Sequence, residues 1–256
     1  MEIVGISTVH GNAPLDVTDR TTRDLVALLS RAGAKSLPVY RGSEAPVGEN
    51  GSVAPVPAHA ALQKAREDSP LTLISLGPLT NVAAALKDRP GLQASVARLV
   101  AVMGRRLGHL FHPAEGASGG ILFGHEPVFR DFNFDKDRLA VTLVLGTRLP
   151  TTRIPYEAAR GISLTEADLS RLEAQGDAAA WVASRAWDWL DFWKEDIGRN
   201  GFYPFDLLAG AYVLAPRLSD CAKAMAWVSK DYKFRRICRK VGRNNLLTTI
   251  SCRFQT

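Results

Sequence analysis

The sequence predicts an α/β fold, a mostly parallel sheet flanked by helices. Three observations carry that prediction. Apolar, β-branched runs alternate with segments of helical periodicity along the first hundred residues, the order that βαβ units give. Several of the runs end in a Gly- or Asn-containing turn: "VHGN", "YRG", "LGPLTN", "VMG". One of them, Leu71 to Leu76, is uncharged and mostly apolar, as a strand covered on both faces must be.

Taken in order, Ile3 to Val9 is rich in β-branched residues and reads as a strand. Asp16 to Ala32 places Leu25, Val26, Leu28 and Leu29 at helical spacing, and Gly33 stops it. Ser36 to Gly42 reads as a short strand, Gly42 to Pro57 as loop, and Ala58 to Glu67 as a helix. After the strand Leu71 to Leu76, Gly77 and Pro78 break the chain, and Thr80 is placed to cap a helix beginning at Asn81. Leu99 to Gly104 is a further buried strand. Arg105 to Arg130 reads as one long loop, the kind that compact domains keep for function or motion.

Beyond it, the segment Arg130 to Asp137 is dense in polar groups and reads as extended, which would put Asp131 and Asn133 on one face. Leu139 to Leu145 is strand-like, Leu164 to Gln175 helical, and Ala178 to Ile197 a long helix carrying four of the five tryptophans. Those tryptophans are core residues or the lining of a pocket that stacks a planar base. Gly201 to Pro216 is a turn followed by an apolar helix, and the last thirty or so residues read as one or two strands, with a hairpin possible. No repeat or linker divides the chain, so residues 1–256 read as a single domain.

Composition narrows the classes. The chain is 46% apolar and 23% charged, ordinary for a globular protein able to bury a core without staples. The net charge of +6 is concentrated toward Lys230 to Arg243. Such a cluster reads first as a solvated face and only secondarily as a nucleic-acid or membrane contact. No stretch reaches the roughly 18 apolar residues of a membrane span, and no signal-peptide pattern opens the chain. Cys221, Cys238 and Cys252 form no CxxC pair and are odd in number. Reduced thiols in a cytoplasmic protein are therefore expected.

Several residues stand out for chemistry. Asp206 is the only charged group of an apolar helix start. It is either a carboxylate on the helix dipole or one held by a partner or a metal. Asp131 beside Asn133 suits a ligand with adjacent hydroxyls, since a carboxylate accepts and an amide both accepts and donates. His10 stands at a strand end, in a structural or a ligand-facing role. His109 and His112 lie in a loop without metal-site spacing, "GASGG" lacks a phosphate-loop ending, and no GxSxG elbow occurs.

Together the segments "VGISTVHGN", "LPVYRG", "LTLISLGPLTNVAAAL", "VAVMG", "FRDFNFDKD" and "PFDLLAGAYVLAP" resemble, in order, the inosine–uridine preferring nucleoside hydrolases. The resemblance covers most of the chain. It implies an α/β fold, hydrolysis of the N-glycosidic bond of ribonucleosides to ribose and free base, a bound calcium ion (Ca2+), and a homo-oligomer of two or four subunits. It further implies metal ligands at Thr80, through its backbone carbonyl, and Asp206. Substrate contacts are implied at Asn12, Met103, His125, Asp131 and Asn133. The chain departs from the family at its start, where the strand ending in D-x-D-x-x-x-D-D, source of two calcium ligands and the general base, is absent. It also carries Phe205 where relatives place a histidine, Arg105 where they place a second glycine, and Asp131 for a glutamate. The first central strand of the sheet should then be lacking beside Ile3 to Val9, with calcium held weakly or not at all. Two functional readings follow: a ribonucleoside hydrolase impaired by the lost aspartates, or a catalytically inactive riboside-binding or structural relative.

Overall fold

The computed structural model describes residues 2–65, 68–104, 131–159, 161–228, 234–237 and 247–254. Its strands form two sheets. The smaller pairs β1 (Ile6–Ser7) with β2 (Val39–Tyr40) in parallel. The larger runs β3 (Leu71–Ser75), β4 (Val96–Val102), β5 (Thr151–Ile154), β8 (Leu247–Phe254), β6 (Ser219–Val228), β7 (Phe234–Ile237). Its first four strands are mutually parallel and the last two pairings antiparallel. The predicted α/β class holds, with β3 and β1 belonging to separate sheets.

β4 shows why the part of the large sheet around it is interior. Leu99, Ala101 and Met103 point into one apolar cluster, with Val82, Leu86, Val141 and Val144 of α3 (Thr80–Asp88) and α5 (Arg138–Leu145). Val100 and Val102 point the other way, into a cluster with Ile154, Leu169, Leu190, Trp193, Leu208 and Tyr212. The period of two distributes one strand between two helical layers. The second layer comprises α7 (Glu166–Glu173), α8 (Asp177–Glu195) and α9 (Leu207–Leu214). In α8, Ala183, Leu190 and Trp193 fall on one buried stripe, as 3.6 residues per turn requires. Trp193 is thus core, whereas Trp189 is 46% exposed and stacks on Phe192 with centroids 5.1 Å apart.

The smaller sheet leans on α1 (Leu15–Arg31). Asp19 accepts from the Thr8 hydroxyl at 3.0 Å, and Arg23 bonds both Asp19 and the Val39 carbonyl. The remaining helices are α2 (Pro57–Gln63), α4 (Phe132–Lys136) and α6 (Tyr156–Ala159).

Several expectations are corrected. Leu139–Leu145 is not a strand but the body of α5, because Asp137 caps the segment through the Ala140 amide at 2.9 Å and Ala140, Val141, Val144 and Leu145 all face the core. Its β-branched residues follow the cap rather than their strand preference. Asp131 and Asn133 do not lie on an extended segment; Asp131 is the N-cap of α4. β5 was invisible in "TTRI", whose polar residues are nonetheless buried. The strands over Ile3–Val9 and Ser36–Gly42 shrink to two paired residues each. The carboxyl-terminal strands number three among the described residues. Finally, Cys221 is disulfide-bonded, and the ladder sets it opposite Cys252. That overturns the expectation of three reduced thiols, since spacing along a sequence cannot register residues that two antiparallel strands bring side by side.

Candidate functional site

The carboxyl ends of β1, β3 and β4 open into the segments Gly11–Asn12, Gly77–Thr80 and Met103–Gly104. In parallel sheets this is the edge where ligands bind. Gly11 faces Pro78, with room for ordinary contact only, so Asn12 stands exposed beside the loop that follows β3.

Two groups of polar side chains occupy this edge. The first lies beneath the surface. Thr80, fully buried, donates its hydroxyl to Asp137 Oδ2 at 2.5 Å, and His10 Nε2 lies 3.1 Å from the same hydroxyl. Asp137 Oδ2 also accepts from the Val47 amide at 2.9 Å. Beside it, Asn81 donates to the Thr8 carbonyl at 2.8 Å and accepts from the Ser43 amide at 2.9 Å. Ser43 in turn meets His59 Nε2 at 3.1 Å. Asn81 thereby ties the end of β1 to the loop after β2, and Gly42 permits it: a Cβ there would lie 1.9 Å from the Thr8 carbonyl oxygen. Burial lowers the pKa of both His10 and His59, so both are neutral near pH 7.

The second group lines the rim. The Asn133 amide donates to the carbonyls of Leu76 and Val102, at 3.0 and 2.9 Å. One –NH2 thus joins the ends of adjacent parallel strands and leaves Oδ1 as that side chain's acceptor. Asp131 receives the Phe134 amide at 2.9 Å. Asp206 holds the N-cap position of α9 without a side-chain capping bond. Its pKa is raised to about 6, first by desolvation and then by the charge of Asp131. Asp206 nevertheless retains exposed surface. The two facts agree if the carboxylate faces an open recess: solvent reaches it from one side while protein excludes water from the others. Behind it an aromatic series runs from Phe205 to Tyr203 (6.0 Å, edge-on) and from Tyr203 to Trp193 (4.8 Å).

Residues 1–244 match the family model of the inosine-uridine preferring nucleoside hydrolases. The chain belongs to that family. Among curated nucleoside hydrolase relatives, the pyrimidine-specific ribonucleoside hydrolase RihA of Salmonella enteritidis is 25% identical over 266 residues, 94% of this chain and 76% of that one. A protein of Schizosaccharomyces pombe is 27% identical over 214 residues, and the match spans 71% of this chain and 63% of that protein. Two solved hydrolases share the fold over 98% of this chain and 85% of theirs. They are a plant nucleoside hydrolase (TM-score 0.76, 16% identity) and a purine-preferring ribonucleoside hydrolase from Gardnerella vaginalis (TM-score 0.74, 18% identity).

For a nucleoside hydrolase, the residues expected at the site are only partly gathered. Asp131, Asn133 and Asp206 share the rim. Met103 is 2% exposed and belongs to the core beneath it. His125 lies outside the described residues. Thr80 does not cap its helix: it is the first residue of α3, after Leu79 at the N-cap position, and its hydroxyl donates to Asp137. Among the described residues no three His, Cys, Asp or Glu side chains converge as metal ligands. A calcium ion takes six to eight oxygens, so the expected pair, the Thr80 carbonyl and Asp206, does not by itself make up a shell. Sequence reading missed Gly42, Asn81 and Asp137. The available signal was Asp137 standing directly before the apolar run "RLAVTLVL", the pattern of a helix cap.

Proposed function

We propose that the rim binds the ribose of a ribonucleoside and that the chemistry of the completed site is hydrolysis of the N-glycosidic bond. The charge-coupled pair Asp131 and Asp206, beside Asn133, carries the reading. Two carboxylates and an amide oxygen are acceptors for adjacent sugar hydroxyls. The same negative charges suit cleavage through an oxocarbenium-like sugar, whose positive charge they stabilise. In this reading Asn12, exposed on the loop after β1, is a further contact to the sugar.

Family resemblance implies a further strand carrying the base that activates water, together with calcium ligands. The separation of β1 and β3 into two sheets is consistent with such a strand lying between them. We read residues 1–256 as one domain that needs this strand for turnover. Riboside binding without turnover is favoured by one observation: Phe205, edge-on to Tyr203, has no proton to give a departing base. A base-release assay with inosine and uridine, run on this chain and on a version extended upstream in frame, separates the readings. We expect ribose binding by both and base release by the extended chain alone. Absence of ribose binding in both defeats the proposal; binding without release in both selects the non-catalytic relative.

A further inference from the structure

The hydrogen-bond directions of the buried group fix more than packing. Asp137 accepts from two backbone amides, Val47 at Oδ2 and Ala140 at Oδ1, so both of its oxygens serve as acceptors. The single proton of the Thr80 hydroxyl goes to Oδ2 at 2.5 Å. Thr80 Oγ1 can then only accept from His10, so His10 Nε2, 3.1 Å away, carries the proton. The relay runs one way: His10 Nε2–H to Thr80, Thr80 to Asp137. A neutral imidazole with its proton on Nε2 has a bare lone pair on Nδ1. His10 as a residue is 9% exposed, and its Nδ1, unlike that of His59, is not a buried nitrogen without a partner. The backbone of His10 is fixed independently, its amide donating to the Ser43 carbonyl at 3.0 Å. Gly11, next in the chain, abuts Pro78 at the rim.

We propose that His10 is a ligand-contacting residue of the site, locked as the Nε2–H tautomer by Thr80 and Asp137, with Nδ1 accepting a hydrogen bond from a hydroxyl of the bound sugar. Asp137 is then a positioning residue, acting on the ligand only through Thr80 and His10. The inference deepens the proposed riboside site and rests on that reading for its ligand; the tautomer does not.

Two substitutions separate ligand contact from scaffolding. His10→Gln places an amide nitrogen near the position of Nε2 and retains the donor to Thr80, but has nothing at Nδ1. His10→Asn offers a polar atom near Nδ1 and loses the inward donor. The measurements are nitrogen-15 NMR of the imidazole at pH 7.5, denaturation midpoints, and calorimetric titration with ribose. The expected results are an Nε2–H tautomer whose Nδ1 resonance moves on adding ribose, and a His10→Gln protein of near wild-type midpoint that binds ribose about tenfold more weakly, one hydrogen bond's worth. His10→Asn should show the reverse, a lower midpoint with more of the affinity retained. Asp137→Asn should release the tautomer lock and mix the two imidazole forms. An Nδ1–H tautomer in the wild type overturns the relay. Equal ribose affinity in wild type and His10→Gln overturns the contact while leaving the riboside reading intact. Wild-type protein that binds no ribose defeats the riboside reading and the ligand assigned to His10, with the tautomer still deciding the relay.

Discussion

Replacing Asp206 by Asn should stabilise this protein, and only at the right pH. The carboxyl is raised from 3.8 to about 6, by desolvation and then by Asp131. A folded pKa above the unfolded one means that the native state holds the proton more tightly. The wild type therefore has its full stability below about pH 4 and loses part of it as pH rises through 6. Taken at face value, a shift of about two units is worth roughly 3 kcal/mol. The exposed side of Asp206 screens much of this, so about 1 kcal/mol is the expected gain for Asp206→Asn at pH 8, a melting shift of about 2–4 °C for a chain of this size. Urea denaturation in EDTA at steps between pH 4 and 8 would trace the difference, which should shrink to nothing at the acid end. The pair can be dissected with Asp131→Asn, which keeps an N-capping side chain while removing the second cause, so that Asp206→Asn gains less in that background. A constant difference across the range, or a variant less stable at pH 8, would refute the partial desolvation of Asp206 and the proximity of Asp131.

Two further outcomes are expected. Gly42→Ala forces a Cβ to 1.9 Å from the Thr8 carbonyl and 2.3 Å from Asn81 Nδ2, so it should cost roughly 3 kcal/mol or more, whereas Gly210→Ala in α9, where nothing lies within 4 Å, should gain about 0.5–1 kcal/mol; thermal melts of the two variants side by side check both. His10 and His59 have depressed folded pKa values through burial, so the stability of the buried group is complete above about pH 6.5 and declines as pH falls below it; removing both histidines should flatten that limb of the stability–pH curve.

The fold class was legible because β4 carries its burial in composition, an apolar run ending in Gly. β3, expected to be covered on both faces, instead alternates half-buried and exposed residues, with Ile74 38% and Leu76 47% exposed, because it is the edge strand of its sheet among the described residues. Helices with a strong stripe, α1 and α8, were legible for the same reason. What escaped were elements whose state is set by a partner far along the chain. β5 is Thr-Thr-Arg-Ile, polar in sequence and buried only because β4 and β8 flank it. α5 is written in strand-forming residues and made helical by one cap and one packed face. At the site, Asp206 was readable as a carboxylate out of place in an apolar setting, and Asp131 by its pairing with Asn133. Asn81 and Asp137 were not, because their partners, Ser43 and Thr8 in one case, Val47 and Thr80 in the other, lie tens of residues away and no local spacing encodes them.

The junction between the two sheets has a mechanical consequence. Among the described residues no ladder crosses it; Asn81, Asp137 and the abutting Gly11 and Pro78 are among the fastenings that hold the amino-terminal βαβ unit to the rest. Side-chain fastenings yield one at a time, while a ladder fails as a set. Under load or on gentle warming the molecule should therefore part along this seam first, releasing its opening segment as a separate opening event while the six-stranded body remains intact.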